Sequence, residues 1–138
     1  MNGFLLDTNI ISELTKPAPN ESVIAFLSEA QNLWISTITL HELAFGLGLM
    51  PAGKRRAAIA QTVDDFTREY TDRIIPVEQG EAHEAALLRA QAQQSGQIVS
   101  LGDALIAGTA RQHELAVVTR NISDFQNLGV DLVNPWER

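Results

Sequence analysis

The stretch GFLLDTNIISEL, residues 3–14, contains the change of pattern that sets the fold class. Its apolar run FLL is typical of a buried strand, and the run ends abruptly on Asp7. Beyond Asp7 the apolar residues recur at the spacing of one helix face, at Ile10, Ile11 and Leu14. The stretch therefore predicts a strand that passes directly into a helix. Asp7 lies at the junction, where its carboxylate can cap the helix or serve a site at the end of the strand.

Strand-like and helix-like segments continue to alternate along the chain. We predict strands over residues 4–6, 33–35, 73–77, 116–119 and 131–133. We predict helices over residues 8–15, 37–49, 54–70, 81–95 and 102–115, a further helix capped by Asn20, and a short turn or helix over 123–128. Pro76 indicates that the third strand lies at an edge of the sheet. The pattern, without repeats or linkers, predicts one α/β domain, residues 1–138, with a central, mainly parallel sheet flanked by helices.

The composition is that of an ordinary globular protein. The 138 residues are 45% hydrophobic and 20% charged, which is enough for one proper core. The sequence has no cysteine, so disulfides and thiolate zinc sites are excluded. No apolar run approaches the ~20 residues of a membrane-spanning helix, and the N-terminus lacks the pattern of a signal peptide. We therefore expect a soluble, cytoplasmic protein with no membrane partner.

Four acidic residues lie at the ends of predicted strands or in the predicted helices next to those strands. In a parallel α/β sheet, ligand sites lie at the carboxyl ends of the strands. Asp7 ends the first strand, and Glu42 lies in the helix after the second. Asp103 begins the helix before the fourth strand, and Asp124 follows that strand. Each has a local explanation as well: Asp7 and Asp103 as helix caps, Glu42 on a solvated helix face, Asp124 in a turn.

A cluster of these carboxylates is electrostatically costly without a cation. Two like charges ~4 Å apart repel by about 4 kcal/mol at an effective dielectric of ~20, against a domain stability of ~5–15 kcal/mol. Such a cluster takes up protons or binds cations, and hard oxygen ligands suit Mg²⁺ or Mn²⁺. Carboxylate-held metal ions serve in-line phosphodiester cleavage. The net charge of −7, from 17 acidic and 10 basic residues, argues against a general nucleic-acid binder but is compatible with such a site.

The motifs LLDTNIISEL, ITLHELAFGL, GDALIAGTA and VVTRNISDF, in this order, resemble those of the PIN-domain nucleases. The resemblance is particularly to the VapC-like toxins of bacterial toxin–antitoxin pairs, and it covers essentially the whole chain. It implies a Rossmann-like sheet and an endoribonuclease that depends on Mg²⁺ or Mn²⁺. It also implies a homodimer that is inhibited by a small cognate antitoxin protein.

The resemblance also implies roles for individual residues. The metal-binding and catalytic acids would be Asp7, Glu42 and Asp103, with Asp124 at the fourth, more variable acidic position. Hydroxyl and amide side chains around them would orient waters or carboxylates, at Thr8, Asn9, Thr119 and Asn121. The last two fit an ordinary turn after a strand equally well. Gly102 departs from the family pattern, since relatives often carry a bulkier residue before the aspartate.

Three other groups of residues have weaker signals. Basic side chains that can contact RNA phosphates are Lys54, Arg55, Arg56 and Arg120, although a run of charges also fits a solvated face. The histidines, His41, His83 and His113, lack a partner at ligand spacing, so we expect no histidine general base. An apolar group can pair with a second copy or an antitoxin helix, or else pack into the core, at Phe45, Leu47, Leu49 and Met50.

Other functional classes fit the sequence less well. A receiver domain needs a lysine late in the chain, and the only lysines are Lys16 and Lys54. A haloacid-dehalogenase-type phosphatase needs a second aspartate where this chain has Asn9. The glycine-rich loop of a P-loop nucleotide binder is missing. The serious alternative is a catalytically inactive PIN-like module that binds RNA or protein, and the presence of all four acids counts against it.

Overall fold

A computed structural model describes residues 3–137, and its centre is a five-stranded sheet in which every described pairing is parallel. The strands are β1 (Phe4–Leu6), β2 (Leu33–Ser36), β3 (Ile74–Ile75), β4 (Ala116–Val118) and β5 (Leu132–Val133). They lie in the order β3-β2-β1-β4-β5. In this register Leu5 pairs with Trp34 on one side and with Val117 on the other. The predicted α/β fold with a parallel sheet is confirmed.

Helices cover both faces of the sheet. They are α1 (Thr8–Leu14), α2 (Glu21–Glu29), α3 (Thr37–Leu49), α4 (Lys54–Glu69), α5 (Gln79–Gln94), α6 (Leu101–His113) and α7 (Ile122–Phe125). Successive strand residues point to opposite faces, so Leu5 joins a core cluster with α5 and α6. Leu6 joins a second cluster with α1, α2 and α4. Burial on both faces explains why the strands are almost wholly apolar.

The third strand is at the sheet edge, as Pro76 indicated, but it is shorter than predicted. Residues Thr71–Arg73 form a 3₁₀ turn, and only Ile74 and Ile75 pair with β2. The N–H of Val77 donates to the Thr37 hydroxyl at 3.1 Å instead of to a neighbouring strand. The proline, which has no N–H, ends the pairing.

Several helix boundaries differ from the predictions, and two of the differences have a clear local cause. Helix α5 begins two residues early because the Glu81 carboxylate accepts a hydrogen bond from the Glu78 N–H at 3.0 Å and so caps the helix start. Helix α6 ends at His113 because Glu114 adopts the left-handed conformation at φ 56°, which breaks the helix without a glycine. None of the helices in residues 3–137 is long and apolar enough to cross a membrane.

Candidate active site

Asp7 occupies the end of β1 at the junction that the sequence singled out. Its own N–H donates to the Val118 carbonyl at 2.9 Å, which ties the residue to the neighbouring strand end. One carboxylate oxygen accepts from the Thr8 N–H at 2.8 Å, so Asp7 does cap helix α1. The residue is only 7% exposed. Because only Oδ1 of Asp7 accepts the capping hydrogen bond, Oδ2 can interact with other groups.

The second oxygen of Asp7 is held by two predicted polar neighbours. The Thr119 hydroxyl donates to Oδ2 at 2.8 Å, and the Asn9 amide donates to the same oxygen at 3.1 Å. The Asn121 N–H in turn donates to the Thr119 hydroxyl at 3.0 Å. Burial raises the pKa of Asp7 above its usual range, with a further contribution from the nearby charge of Glu42, while the hydrogen bonds oppose the rise. The network keeps Asp7 fixed and favours its charged form.

Glu42 faces the same region from helix α3. The Thr8 hydroxyl donates to its Oε1 at 2.5 Å, which connects α3 to the residue after Asp7. A Cβ atom at Gly102 would lie 3.3 Å from the other oxygen, Oε2. The glycine that departs from the family pattern therefore lies directly beside the Glu42 carboxylate. Because it lacks a side chain, it leaves that oxygen open on this side.

Asp103 is in the first turn of α6, as predicted. Its N–H donates to the Ser100 hydroxyl at 3.1 Å, so the serine caps the helix. Burial is the main factor that raises the pKa of the Asp103 carboxyl to about 6, although a side-chain hydrogen bond with Ser100 opposes the rise. The charges of Asp7, Asp124 and Glu42 raise this pKa further. The three other predicted acids thus lie within electrostatic range of Asp103.

Asp124 is more loosely held than the other three acids. It lies in the first turn of the short helix α7, where its N–H donates to the Asn121 carbonyl at 3.1 Å. Its side chain is exposed, in contrast to the buried Asp7. Its contribution to the raised pKa of Asp103 nevertheless places its charge near the site. This peripheral position agrees with its assignment as the most variable of the four acids.

The donor chemistry of this region fits a divalent cation. Its side-chain donors are carboxylate, hydroxyl and amide oxygens, which are the ligands that Mg²⁺ and Mn²⁺ prefer. The pKa values of Asp7 and Asp103 are raised mainly by burial and further by neighbouring carboxylates, and a cation at this position would oppose both effects. Within residues 3–137, no three acidic or histidine side chains are already arranged to hold a metal ion. The carboxylates would therefore have to draw closer when a cation binds.

The predicted basic residues divide into two groups. Lys54 and Arg55 are exposed at the start of α4, while Arg56 donates to the Met50 carbonyl at 3.3 Å and so holds the preceding turn. The N–H of Arg120 donates to the Asn9 amide oxygen at 3.2 Å. Of the four basic residues, and within the described part of the chain, Arg120 is the one joined to the polar network around Asp7.

The remaining sequence expectations have mixed outcomes. Phe45 and Leu49 are 61% and 71% exposed, so these two members of the apolar group do not pack into the core. His41 stacks on Phe45, with ring centroids 6.2 Å apart. His113 makes a structural contact, since its ring nitrogen lies 2.7 Å from the Glu81 carboxylate. That pair joins residues 32 positions apart, which helical spacing cannot reveal.

Sequence reasoning also missed Glu13, a buried carboxylate beside the site. Lys16 pairs with it at 2.9 Å, and the Asn20 N–H donates to it at 2.9 Å. The hydrogen bond from Lys16 is the main factor that lowers the pKa of Glu13, although burial opposes it, and the charge of Arg120 contributes. The Glu13–Lys16 spacing was the available signal. It shows a pair but does not show that the glutamate is buried.

A family model for the PIN domain matches residues 4–130 of this sequence. The chain belongs to the PIN domain family. It is 40% identical to VapC ribonuclease Y4jK of Sinorhizobium fredii over 136 residues, covering 96% of this chain and 97% of the relative. It is 36% identical to toxin FitB of Neisseria gonorrhoeae, covering 96% and 97% of the two chains. The resemblance that the four motifs indicated is therefore confirmed.

Solved structures show the same PIN fold. A chain in the crystal structure of FitAcB from Neisseria gonorrhoeae has a TM-score of 0.90 and 35% identity, and the match covers 98% of this chain and 99% of that one. A chain in a toxin–antitoxin complex from Klebsiella pneumoniae has a TM-score of 0.67 and 28% identity, and the match covers 95% and 96%. The whole PIN domain therefore aligns with single chains of known structure.

Proposed function

We propose that this PIN domain is a metal-dependent endoribonuclease that acts as the toxin of a toxin–antitoxin pair. The observation that carries the proposal is the convergence of four acids from separate segments: Asp7, Glu42 and Asp124 all act electrostatically on Asp103, whose pKa is raised to about 6 mainly by burial. A binding module gains nothing from a self-repelling cluster, whereas a hydrolase needs one to attract a cation. The names of the relatives, a VapC ribonuclease and a toxin, agree with this function.

In this proposal the acids hold the metal and their neighbours fix the acids. Asp7, Glu42 and Asp103 would be the main ligands, with Asp124 as the outer one. Thr119 and Asn9 orient Asp7, Thr8 orients Glu42, and Asn121 fixes the Thr119 hydroxyl. Mg²⁺ or Mn²⁺, when bound, supplies the Lewis acid that makes water a nucleophile at neutral pH and balances charge on the phosphoryl oxygens.

The reaction is the hydrolysis of a phosphodiester bond in RNA. A water oxygen forms a new bond to phosphorus, and the ester bond on the opposite side breaks in line with it. The protein's side chains would position the RNA phosphate near an acidic surface that otherwise repels it. Arg120 beside Asp7 would contact the RNA backbone, and the exposed Lys54 and Arg55 would extend the contact, with Arg56 shaping the turn before them.

We also propose that the chain forms a homodimer and binds a cognate antitoxin protein. The toxin–antitoxin complex among the structural matches supports the partner. The exposed side chains of Phe45 and Leu49 on α3 supply apolar surface for one of these contacts. Light scattering on the isolated chain tests the dimer. A strictly monomeric mass at high protein concentration would contradict it.

The experiment that tests the proposed function is cleavage of a panel of structured RNAs by protein free of antitoxin. Parallel reactions contain Mn²⁺, Mg²⁺ or EDTA, and Asp103→Asn protein is the control. We expect cutting with metal, none with EDTA, and a loss of at least about 100-fold in the variant because a ligand is removed. An absence of cutting on every RNA, with RNA binding retained, would instead favour the inactive binding module.

A further inference from the structure

Arg120 lies at the rim of the carboxylate site and is positioned through its backbone. Its N–H donates to the Asn9 amide oxygen at 3.2 Å, and the Asn9 amide donates to Asp7 at 3.1 Å. The residue directly follows Thr119, which also contacts Asp7. The backbone of Arg120 is therefore fixed close to Asp7, while Arg120 as a residue is exposed.

The Arg120 guanidinium lies against an aromatic ring. Its Cζ atom is 5.2 Å from the centre of the Trp136 ring, within the range of a cation–π contact. Trp136 is partly buried and packs against the core cluster with α1, α2 and α4, so the ring is a fixed support. Within residues 3–137, the guanidinium itself forms neither a hydrogen bond nor an ion pair.

Glu13 does not neutralise Arg120 by direct contact. The Glu13 carboxylate already accepts from the Asn20 N–H and pairs with Lys16, both at 2.9 Å. Its through-space interaction with Arg120 places the guanidinium nearby without an ion pair. The result is a planar cation on an aromatic support, in the residue that follows Thr119, and no residue in the described range 3–137 accepts a hydrogen bond from its guanidinium.

We propose that Arg120 and Trp136 form a stacking platform for one unpaired RNA base next to the scissile phosphate. The inference rests on the proposed ribonuclease function and adds to it a contact for one base. Bases of single strands stack on arginine planes and aromatic rings, whereas bases in a duplex are not available. The platform explains how a chain of net charge −7 holds RNA: stacking adds an attraction that does not depend on overall charge.

The chain provides its own fluorescent reporter for this platform. It contains two tryptophans, Trp34 and Trp136, so Trp34→Phe leaves a single indole at the site. In that protein, with Asp103→Asn to prevent cleavage, a 12-nucleotide single-stranded RNA is titrated in the presence of Mg²⁺. We expect saturable quenching of Trp136 fluorescence. The same RNA annealed to its complement should quench far less.

Substitutions of Arg120 separate stacking from charge. Arg120→Ala should weaken RNA binding by about 5- to 20-fold, in the range that one base stack supplies. Arg120→Lys keeps the charge but loses the plane, so it should recover less than half of the lost affinity. Arg68→Ala, which removes an exposed arginine paired with Asp64 on α4, is the matched control and should leave affinity unchanged.

Failure of the platform and failure of the proposed function give different results. If the unmodified chain cuts RNA with Mn²⁺ but RNA does not quench Trp136, the platform is wrong and the nuclease stands. Equal RNA affinity in Arg120→Ala or full recovery in Arg120→Lys would also overturn the platform. Quenching and the Arg120 effect without any cleavage would retain the platform as an RNA-binding surface and overturn the nuclease.

Discussion

The buried Asp7 and the partly buried Asp103 lie in the same candidate site, but their neighbours affect the pKa of each carboxyl differently. Asp7 receives donors from Thr8, Asn9 and Thr119, which oppose the rise in its pKa. Asp103 has only Ser100 to oppose burial and the charges of the other three acids. We therefore expect Asp103 to be the residue at which the metal-free site takes up a proton and from which a bound cation would displace it.

Asp103→Asn should stabilise the metal-free protein at high pH. The folded-state pKa of about 6 exceeds the ordinary value of 3.8, so wild-type stability falls as pH rises between these values and stays lower above them. An upper bound of about 3 kcal/mol follows from two pKa units, and partial exposure reduces it to about 1–2 kcal/mol. Urea unfolding in EDTA at pH 8 and pH 4 measures the difference, which should vanish at pH 4.

The exposed Asp72, in the turn before β3, provides the control for this prediction. Asp72→Asn should change stability by less than about 0.5 kcal/mol at both pH values. A loss of stability in Asp103→Asn at pH 8 would show that the Asp103 carboxylate is satisfied without a metal.

Thr119→Val should weaken metal binding more than it weakens the fold. The hydroxyl is buried and donates to Asp7, so its removal frees the carboxylate to turn. Loss of such an outer partner lowers metal affinity by about 10- to 100-fold. The matched variant is Thr109→Val, whose buried hydroxyl donates to the Leu105 carbonyl away from the acids. Mn²⁺ titration compares the two, and equal affinity would contradict the positioning role of Thr119.

Helices α5 and α6 pack so closely that one position between them requires glycine. A Cβ atom at Gly108 would lie 2.5 Å from the Ala85 backbone nitrogen. This contact is with backbone, which cannot move aside as a flexible side chain can. The close approach positions the helix that begins at Leu101 and bears Asp103 in its first turn.

Gly108→Ala should therefore destabilise the protein by at least about 1–3 kcal/mol, the cost of overpacking a core. Gly46→Ala in α3 is the control, since nothing lies within 4 Å of its added Cβ. It should stabilise the protein by about 0.5–1 kcal/mol because alanine is the better helix former. Chemical unfolding of the two variants measures both signs, and a neutral Gly108→Ala would refute the close contact.

The start of α5 and the end of α6 are joined by Glu81, which caps α5 and contacts His113. Burial acts to raise the pKa of Glu81, but hydrogen bonds to backbone N–H groups and to His113 outweigh it and lower the pKa below 4.5. The stability that this glutamate contributes is thus present above pH 4.5 and is lost as pH falls through the lowered value.

Glu81→Gln should cost about 1–2 kcal/mol at pH 7 because charge-assisted hydrogen bonds are replaced by neutral ones. The cost should shrink towards zero near pH 3. Thermal unfolding across this range tests the sign, with the exposed Glu69→Gln as control. A cost that stays constant with pH would mean that the Glu81 charge is irrelevant.

For the whole molecule, the sequence predicted the features that depend on local patterns of residues, namely the order of strands and helices and the acids at their ends. Asp7 was identifiable as a candidate site residue because it directly follows the apolar run of β1. Asp103 was identifiable because it lies in the first turn of a predicted helix. The pairing of Glu81 with His113 and the contact of Arg120 with Trp136 were not predictable. Such contacts join segments that are distant in the sequence, and their geometry depends on how the helices and loops pack against the sheet. The edge strand β3 was predicted over residues 73–77 but contains only Ile74 and Ile75. A strand ends where backbone pairing ends, and the composition of the segment does not show that position.

The main consequence of the fold is that four acids from separate segments lie near one another beyond the carboxyl end of β1. The chain's net charge of −7 adds to the repulsion in this region. On the proposed function, stability, cation binding and RNA attraction would be coupled at this one place in the molecule. A divalent cation would relieve repulsion and supply the proposed chemistry together.

The most direct test of this account is calorimetric titration of Mn²⁺ into EDTA-stripped protein at pH 6, in two buffers of different ionisation heat. We predict binding accompanied by proton release, since Asp103 is about half protonated at its pKa of about 6. Asp103→Asn should bind Mn²⁺ much more weakly and release fewer protons. Absence of binding heat, or equal binding by the variant, would contradict the claim that these carboxylates form one metal site.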